Sequence, residues 1–350
     1  MKWIYYFIAV LLFTSIIDAQ NFNDYKSLEI ESKFSSKLTL EYKEPNNKIE
    51  YVLVNLTFFP RNSEFQTSTY DLKSSPEAKN SINENFISYK WDNPDINILK
   101  YDLNSKIKTS TNFKQIKEKI KFPLDNIENL EDYTEPTETV TSDDPEIKKK
   151  AAELAQGEED LYVIVHKIAL WTKENINYSL ETLTEDVSQN SSWVLENKKG
   201  VCDELTSLFV AMLRSINVPS RFVTGQAYTN VINGFGNHAW AEVYFPSYGW
   251  IPFDPTYGQM GYVDASHISM KDSLDVKESS VDYSWRSYGV EINSGKLEVN
   301  SSVISKGILY KEDLKLNLEK LKEEIGPGSY IPLQIEIEKL NDYYLPITLD

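Results

Sequence analysis

Between Leu28 and Asn112 the apolar positions recur every second residue. Leu38, Leu40 and Tyr42 form one such set; Val52, Val54, Leu56 and Phe58 form another, alternating with Leu53, Asn55 and Thr57. A period of two is that of a strand with one buried face. Turn clusters such as Pro45-Asn46-Asn47 punctuate the stretch and leave no room for a long helix. A β-sandwich over residues 20–130 is the simplest architecture for such strands. Residues 131–144 lose all periodicity and read as a linker.

At Asp144-Pro145 the period changes. An Asp N-cap with Pro at the first helical position predicts a helix through Ile147, Ala151 and Leu154, ending near Gly157. A second helix carries Leu161, Ile164, Val165, Ile168 and Trp171 on one stripe, with His166 beside it as a partly exposed residue. A third begins at Cys202 and spaces Leu205, Leu208, Phe209, Met212, Leu213 and Ile216 on one face. It stops at Asn217-Val218-Pro219, because proline cannot continue the hydrogen-bond ladder. Short strands follow at Arg221 to Tyr228, His238 to Phe245 and Trp250 to Phe253. The middle one sets His238, Trp240, Glu242 and Tyr244 against Ala239, Ala241, Val243 and Phe245. The tail, residues 273–350, returns to β patterns such as Leu333, Ile335 and Ile337, and Leu314 to Ile325 fits a strand or a helix. The class is α+β: a mixed unit over 145–272 between a β-rich domain and a β-rich C-terminal segment.

The N-terminus, Met1 to Phe13, joins one lysine to an apolar run, and Asp18 closes it before the ~20 apolar residues a spanning helix needs. With Ala19 before Gln20, residues 1–19 read as a signal peptide cleaved after Ala19, an uncleaved anchor being the alternative. The expected location is secreted or extracytoplasmic, in the cell envelope, with no stable membrane span after cleavage. A formal charge of −17 argues against nucleic acid or anionic lipid as a partner, since both demand a basic surface.

Export sharpens the meaning of the single cysteine, because Cys202 has no partner for an internal disulfide. It follows Lys199-Gly200-Val201 and opens a helix, where unpaired N–H groups and the positive end of the dipole favour a thiolate and can bind an oxyanion. Asp203 and Glu204 complement the dipole and are expected to point away from the thiol. Downstream come Asn237-His238-Ala239-Trp240 and Phe253-Asp254-Pro255-Thr256. A thiol, an imidazole and a carboxylate, each beginning or ending a regular element, are the parts of a nucleophile with its base and orienter. Singly, each has an ordinary reading: core filler, surface histidine, turn-initiating aspartate. Their order on these elements favours the catalytic one. His267, in Asp264-Ala265-Ser266-His267, reads as a structural or rim residue. One cysteine and three scattered histidines offer no metal-ligand spacing, and no cofactor is called for.

From about Leu161 to His267 the chain resembles the transglutaminase-like superfamily, the papain-fold thiol enzymes. The resemblance rests on Ile168-Ala169-Leu170-Trp171-Thr172-Lys173-Glu174-Asn175-Ile176-Asn177-Tyr178, on Trp193-Val194-Leu195 ahead of Gly200-Val201-Cys202, and on Leu213 to Gly225. His238-Ala239-Trp240-Ala241-Glu242-Val243 and Gly249 to Thr256 complete it. It implies Cys202 as nucleophile, His238 as base and Asp254 as orienter, in a papain-like core with the cysteine helix packed on an antiparallel sheet. It also implies a second oxyanion donor, for which Trp171, Tyr178 and Trp193 are candidates, with Trp240 as a further substrate-side residue. Asp203 stands where animal transglutaminases carry an aromatic residue, which counts against protein cross-linking. The expected activity is attack on amides of proteins or peptides through a thioester, with hydrolysis favoured over transfer to an amine. The rival is a non-catalytic envelope or adhesion scaffold that retains the fold.

Overall fold

A computed structural model describes residues 22–125, 127–182, 188–310, 314–320 and 333–340. The expected signal peptide, 1–19, lies outside them. Ser27–Tyr42 is the spine of a five-stranded antiparallel sheet. On one edge it pairs with Ile98–Ser110, which in turn pairs with Gln66–Ser75. On the other it takes Glu298–Lys306 along its first half and Val290–Ser294 along its second. A second antiparallel sheet runs Val281–Tyr288, Lys48–Leu56, Ile87–Asp92, Lys79–Ile82. The alternation explains what joins them: Leu28, Ile30, Phe34, Leu38 and Leu40 from one sheet share a single hydrophobic cluster with Val52, Val54, Leu56 and Tyr89 from the other.

The stretch expected as a separate C-terminal segment therefore divides. Residues 281–306 complete both sheets of the N-terminal region, while among the described residues Leu314–Lys320 pairs only with Leu333–Lys339. The choice between helix and strand at Leu314 is thereby decided for a strand. Periodicity reports which face is buried and is silent about the pairing partner.

Among the described residues the mixed unit has four α-helices: α1 (Pro145–Ala155), α2 (Leu161–Asn175), α3 (Ser191–Asn197) and α4 (Cys202–Ser215). Asp144 caps α1 by accepting from the amides of Glu146 (2.8 Å) and Ile147 (3.2 Å). They accompany a five-stranded antiparallel sheet in the order Gln259–Met260, Gly249–Asp254, Gly234–Phe245, Ser220–Thr229, His267–Ser273. Helix α4 is enclosed: Leu208, Phe209, Met212 and Leu213 are fully buried in one cluster with Ala241, Val243 and Phe245 of the sheet. Each such side chain contributes roughly 1.5–3 kcal/mol by leaving water, so α4 is the fixed part against which the site is built.

The non-periodic stretch 131–144 is tied into this unit. The buried Arg214 guanidinium donates to the carbonyls of Ser220, Glu135 and Leu274, and the Thr139 carbonyl accepts from the Ser191 amide at 2.9 Å. Its backbone is irregular but hydrogen-bonded, which a periodicity search cannot register. The strand His267–Ser273 joins the two regions, because Ile268 and Met270 are buried in the cluster of the β region. The architecture is α+β, and among the described residues no helix is long and apolar enough to cross a membrane.

Candidate active site

Cys202 is the first residue of α4 and is partly exposed. The turn that delivers it is organised by Glu204, which is 1% exposed. Its Oε2 accepts from the Val201 amide (2.9 Å) and the Thr182 hydroxyl (2.6 Å), and its Oε1 from the Gln189 amide (2.9 Å). Glu204 thus folds back beneath the helix start and satisfies donors on two segments. Gly200 makes room for it: a Cβ there would lie 2.9 Å from the Glu204 Cβ. Asp203 does not point clear of the site. It lines the cleft beside Cys202, and its carboxylate accepts from Ser188.

His238 and Asp254 come from neighbouring strands whose register sets Ala241 opposite Phe253. That register carries Asp254 to the level of Trp240, so it reaches His238 diagonally, along the face the two aromatic rings share. His238 Nε2 lies 2.7 Å from Asp254 Oδ2. An ionised carboxylate only accepts, so Nε2 carries the proton, which leaves Nδ1 as the nitrogen available to the Cys202 thiol on the same cleft. The other oxygen of Asp254 accepts from the amides of Thr256 (2.8 Å) and Tyr257 (3.0 Å). The Tyr257 ring stacks on the imidazole at 4.6 Å between centroids. Burial disfavours a charged His238, but the Asp254 carboxylate, and after it Cys202, raise its pKa to about 10. For Asp254, burial works against ionisation, and the facing imidazoles of His238 and His267 overcome it. The carboxyl sits well below the usual carboxylate range.

For the third histidine, read as a structural or rim residue, the structure takes the first alternative. His267 is buried, not at a rim, and its Nε2 lies 3.3 Å from the same Asp254 Oδ2, while its Nδ1 faces Asp264 Oδ1 at 3.4 Å. Its position follows from the pairing of His267–Ser273 with Ser220–Thr229, which no local signal announces. His238, Asp254 and His267 bring ligand-type atoms within 4.8 Å of one another. A metal there would have to displace the protons by which the two imidazoles bind Asp254, so the donor set suits a hydrogen-bonded relay rather than an ion. His166 sits half-buried on α2, and burial lowers its pKa.

Cys202 and His238 open on a cleft of about 710 Å3 between the mixed unit and the β region. Of the oxyanion and substrate candidates, Tyr178 lines it and is 50% exposed. Trp171 instead packs on the helical core under the Lys150 and Lys198 ammonium groups, at 5.3 and 4.6 Å from its ring centre. Trp193 packs against the same core. Trp240 is buried beside His238, clustered with Val223 and Val263. Glu278, in the connection after Ser273, and Lys296 and Glu298 of the β region also line the cleft.

Residues 148–255 match the model of the transglutaminase-like superfamily. Over 166 residues the chain is 30% identical to the uncharacterized protein YebA of Bacillus subtilis, covering 42% of this chain and 22% of that protein. Over 122 residues it is 24% identical to a protein-glutamine gamma-glutamyltransferase of Pseudomonas aeruginosa, covering 32% of this chain and 18% of that one. The chain thus spans a minor part of the length of these curated relatives. The crystal structure of a candidate cysteine protease from Cytophaga hutchinsonii is similar, with a TM-score of 0.57 at 17% identity over 82% of this chain and 94% of that one. That likeness is one of fold. The mixed unit has the transglutaminase-like, papain-type core.

Proposed function

We propose that this chain is a transglutaminase-like cysteine enzyme that cleaves amide bonds of protein or peptide substrates through a thioester, outside the cytoplasmic membrane. The observation that carries the reading is the geometry of one imidazole. His238 is held by the buried Asp254 through Nε2 at 2.7 Å, and it lines the same open cleft as Cys202.

In this scheme the Cys202 thiol passes its proton to His238 as its sulfur adds to the amide carbonyl carbon, and the carbonyl electron pair moves onto oxygen. Amides at the start of α4 and the Tyr178 hydroxyl would bind that oxyanion. Collapse breaks the C–N bond, and His238 gives its proton to the departing amine. Water then attacks the thioester with His238 taking its proton, and the carboxylic acid leaves as the thiol is restored. Asp254 holds the imidazole in the orientation both steps need. The open cleft favours hydrolysis, because water reaches the thioester from the same side as the substrate.

Transfer to an amine is the second reading. It is favoured by the carboxylates of Asp203, Glu278 and Glu298 around the cleft, against one Lys296, which would draw in a cationic acceptor. A non-catalytic scaffold is the rival of another class. Unfolded casein and a fluorescent primary amine, offered together to the wild type and to Cys202→Ala, separate all three. New peptide termini that depend on Cys202 support hydrolysis, and Cys202-dependent labelling of casein supports transfer. Neither product at any pH would leave the scaffold.

A further inference from the structure

His267 is a buried titratable group that the scheme above does not use. The groups facing it come from four elements. Asp264 lies at Nδ1 on its own loop, and Asp254 at Nε2 on the strand Gly249–Asp254. The His238 and Trp240 rings lie 5.6 and 5.2 Å away on Gly234–Phe245, and the Tyr257 ring lies 5.5 Å away in the turn after Asp254. Both imidazole nitrogens therefore face carboxylate oxygens. In a neutral imidazole one nitrogen carries a lone pair, which would oppose the lone pairs of a buried carboxylate. The doubly protonated ring satisfies both contacts.

Asp264 is built to hold that cation. Its Oδ1 accepts from the Ser266 amide (2.7 Å) and hydroxyl (2.5 Å), and its Oδ2 from the Gln259 side chain, whose oxygen in turn accepts the Asp264 amide at 2.9 Å. Every hydrogen bond fixes the carboxylate facing His267, in a part of the molecule where an unpaired ion would be costly.

We propose that His267 is a positioning residue of the catalytic set, a buried imidazolium clamped between Asp254 and Asp264 that fixes the Asp254 carboxylate and shares its charge with His238. The proposal rests on the reading of Cys202, His238 and Asp254 as that set. The arrangement is an alternating line of charges: Asp264, His267, Asp254, His238 and, after proton transfer, Cys202. Its consequence for the reaction is a matter of acid strength. A carboxylate bound by one imidazole alone would hold the His238 proton more tightly, and a tightly held proton is poorly given to a leaving amine. By taking part of the Asp254 charge, His267 keeps His238 a better acid. Burial opposes the His267 charge, but Asp264 and Asp254 raise its pKa, in the same sense as the geometry.

The test is an imidazole-nitrogen NMR titration of the full chain labelled with 15N-histidine, whose three histidines are assigned by substitution. In the wild type, His267 should carry protons on both nitrogens through neutral pH, and Asp264→Asn should turn it into a neutral tautomer. In His267→Gln, which keeps one donor but no charge, the deprotonation midpoint of His238 should move up by roughly one pH unit. A wild-type His267 with one bare nitrogen near neutral pH overturns the proposal without recourse to a variant. An unmoved His238 midpoint in a folded His267→Gln overturns its positioning role. Alkylation of Cys202 by iodoacetamide separates the underlying reading. If His238→Ala leaves that rate unchanged across pH, the catalytic set itself fails, whatever the spectrum of His267 shows.

Discussion

The Glu204 carboxylate accepts the amide hydrogen of Val201 at 2.9 Å, closing the turn that places Cys202 at the head of α4. The same side chain holds Thr182 and Gln189, so one buried acid secures the helix start and two points of the preceding segment. Glu204→Ala leaves these donors without their partner, and it should lower the unfolding free energy by about 3 kcal/mol. Urea denaturation measures this. A loss within the few tenths expected of a surface site would mean that the turn is held by other contacts.

Stability should also depend on pH through the His238–Asp254 pair. The folded-state pKa of His238 is raised from 6.5 to about 10, so its contribution is complete below pH 6.5 and is lost as pH rises toward about 10. The pKa of Asp254 is lowered from 3.8, so its contribution is present above that value and lost as pH falls through the depressed one. Asp254→Asn removes both. The difference in unfolding free energy between wild type and variant should be largest between these limits and should shrink on approach to pH 10. Parallel stability curves up to that pH would refute the coupling.

Gly225 lies opposite His238 in the sheet and beside the strand that bears His267. A Cβ at Gly225 would fall 1.9 Å from the Ile268 carbonyl oxygen, a backbone atom that cannot swing aside. Gly225→Ala should therefore force the two strands apart, with a cost of about 3 kcal/mol and a loss of Cys202 alkylation reactivity. A variant that melts and reacts like the wild type would mean that the strands separate at little cost.

Tyr178 alone of the oxyanion and substrate candidates lines the cleft. Tyr178→Phe should leave folding unchanged and slow turnover of an amide or ester substrate about 100-fold. Trp171→Phe and Trp193→Phe, both in the helical core, should alter stability more than rate. Equal rates for wild type and Tyr178→Phe would remove the hydroxyl from the mechanism.

Much of the arrangement was legible in the sequence because local chemistry decides it. Asp144-Pro145 can hardly do anything but start a helix, and Val218-Pro219 can hardly continue one. The apolar spacing from Leu205 to Ile216 requires an enclosed helical face, which places Cys202 at its exposed head. The alternation from His238 to Phe245 assigns His238 and Trp240 to one side of a strand. Less legible were residues 131–144, whose irregular backbone is held by Arg214 and by the contacts of Thr139.

By itself the sequence determined periods, caps and the order of thiol, imidazole and carboxylate, since each of these depends on residues a few positions apart. Only the tertiary structure decided that Asp254 meets His238 on a diagonal, that residues 281–306 complete sheets begun by residues 27–56, and that His267 shares the Asp254 carboxylate. Those relations depend on strand register and on chain closure over long separations. A pattern of buried and exposed faces is compatible with many registers, and packing selects among them.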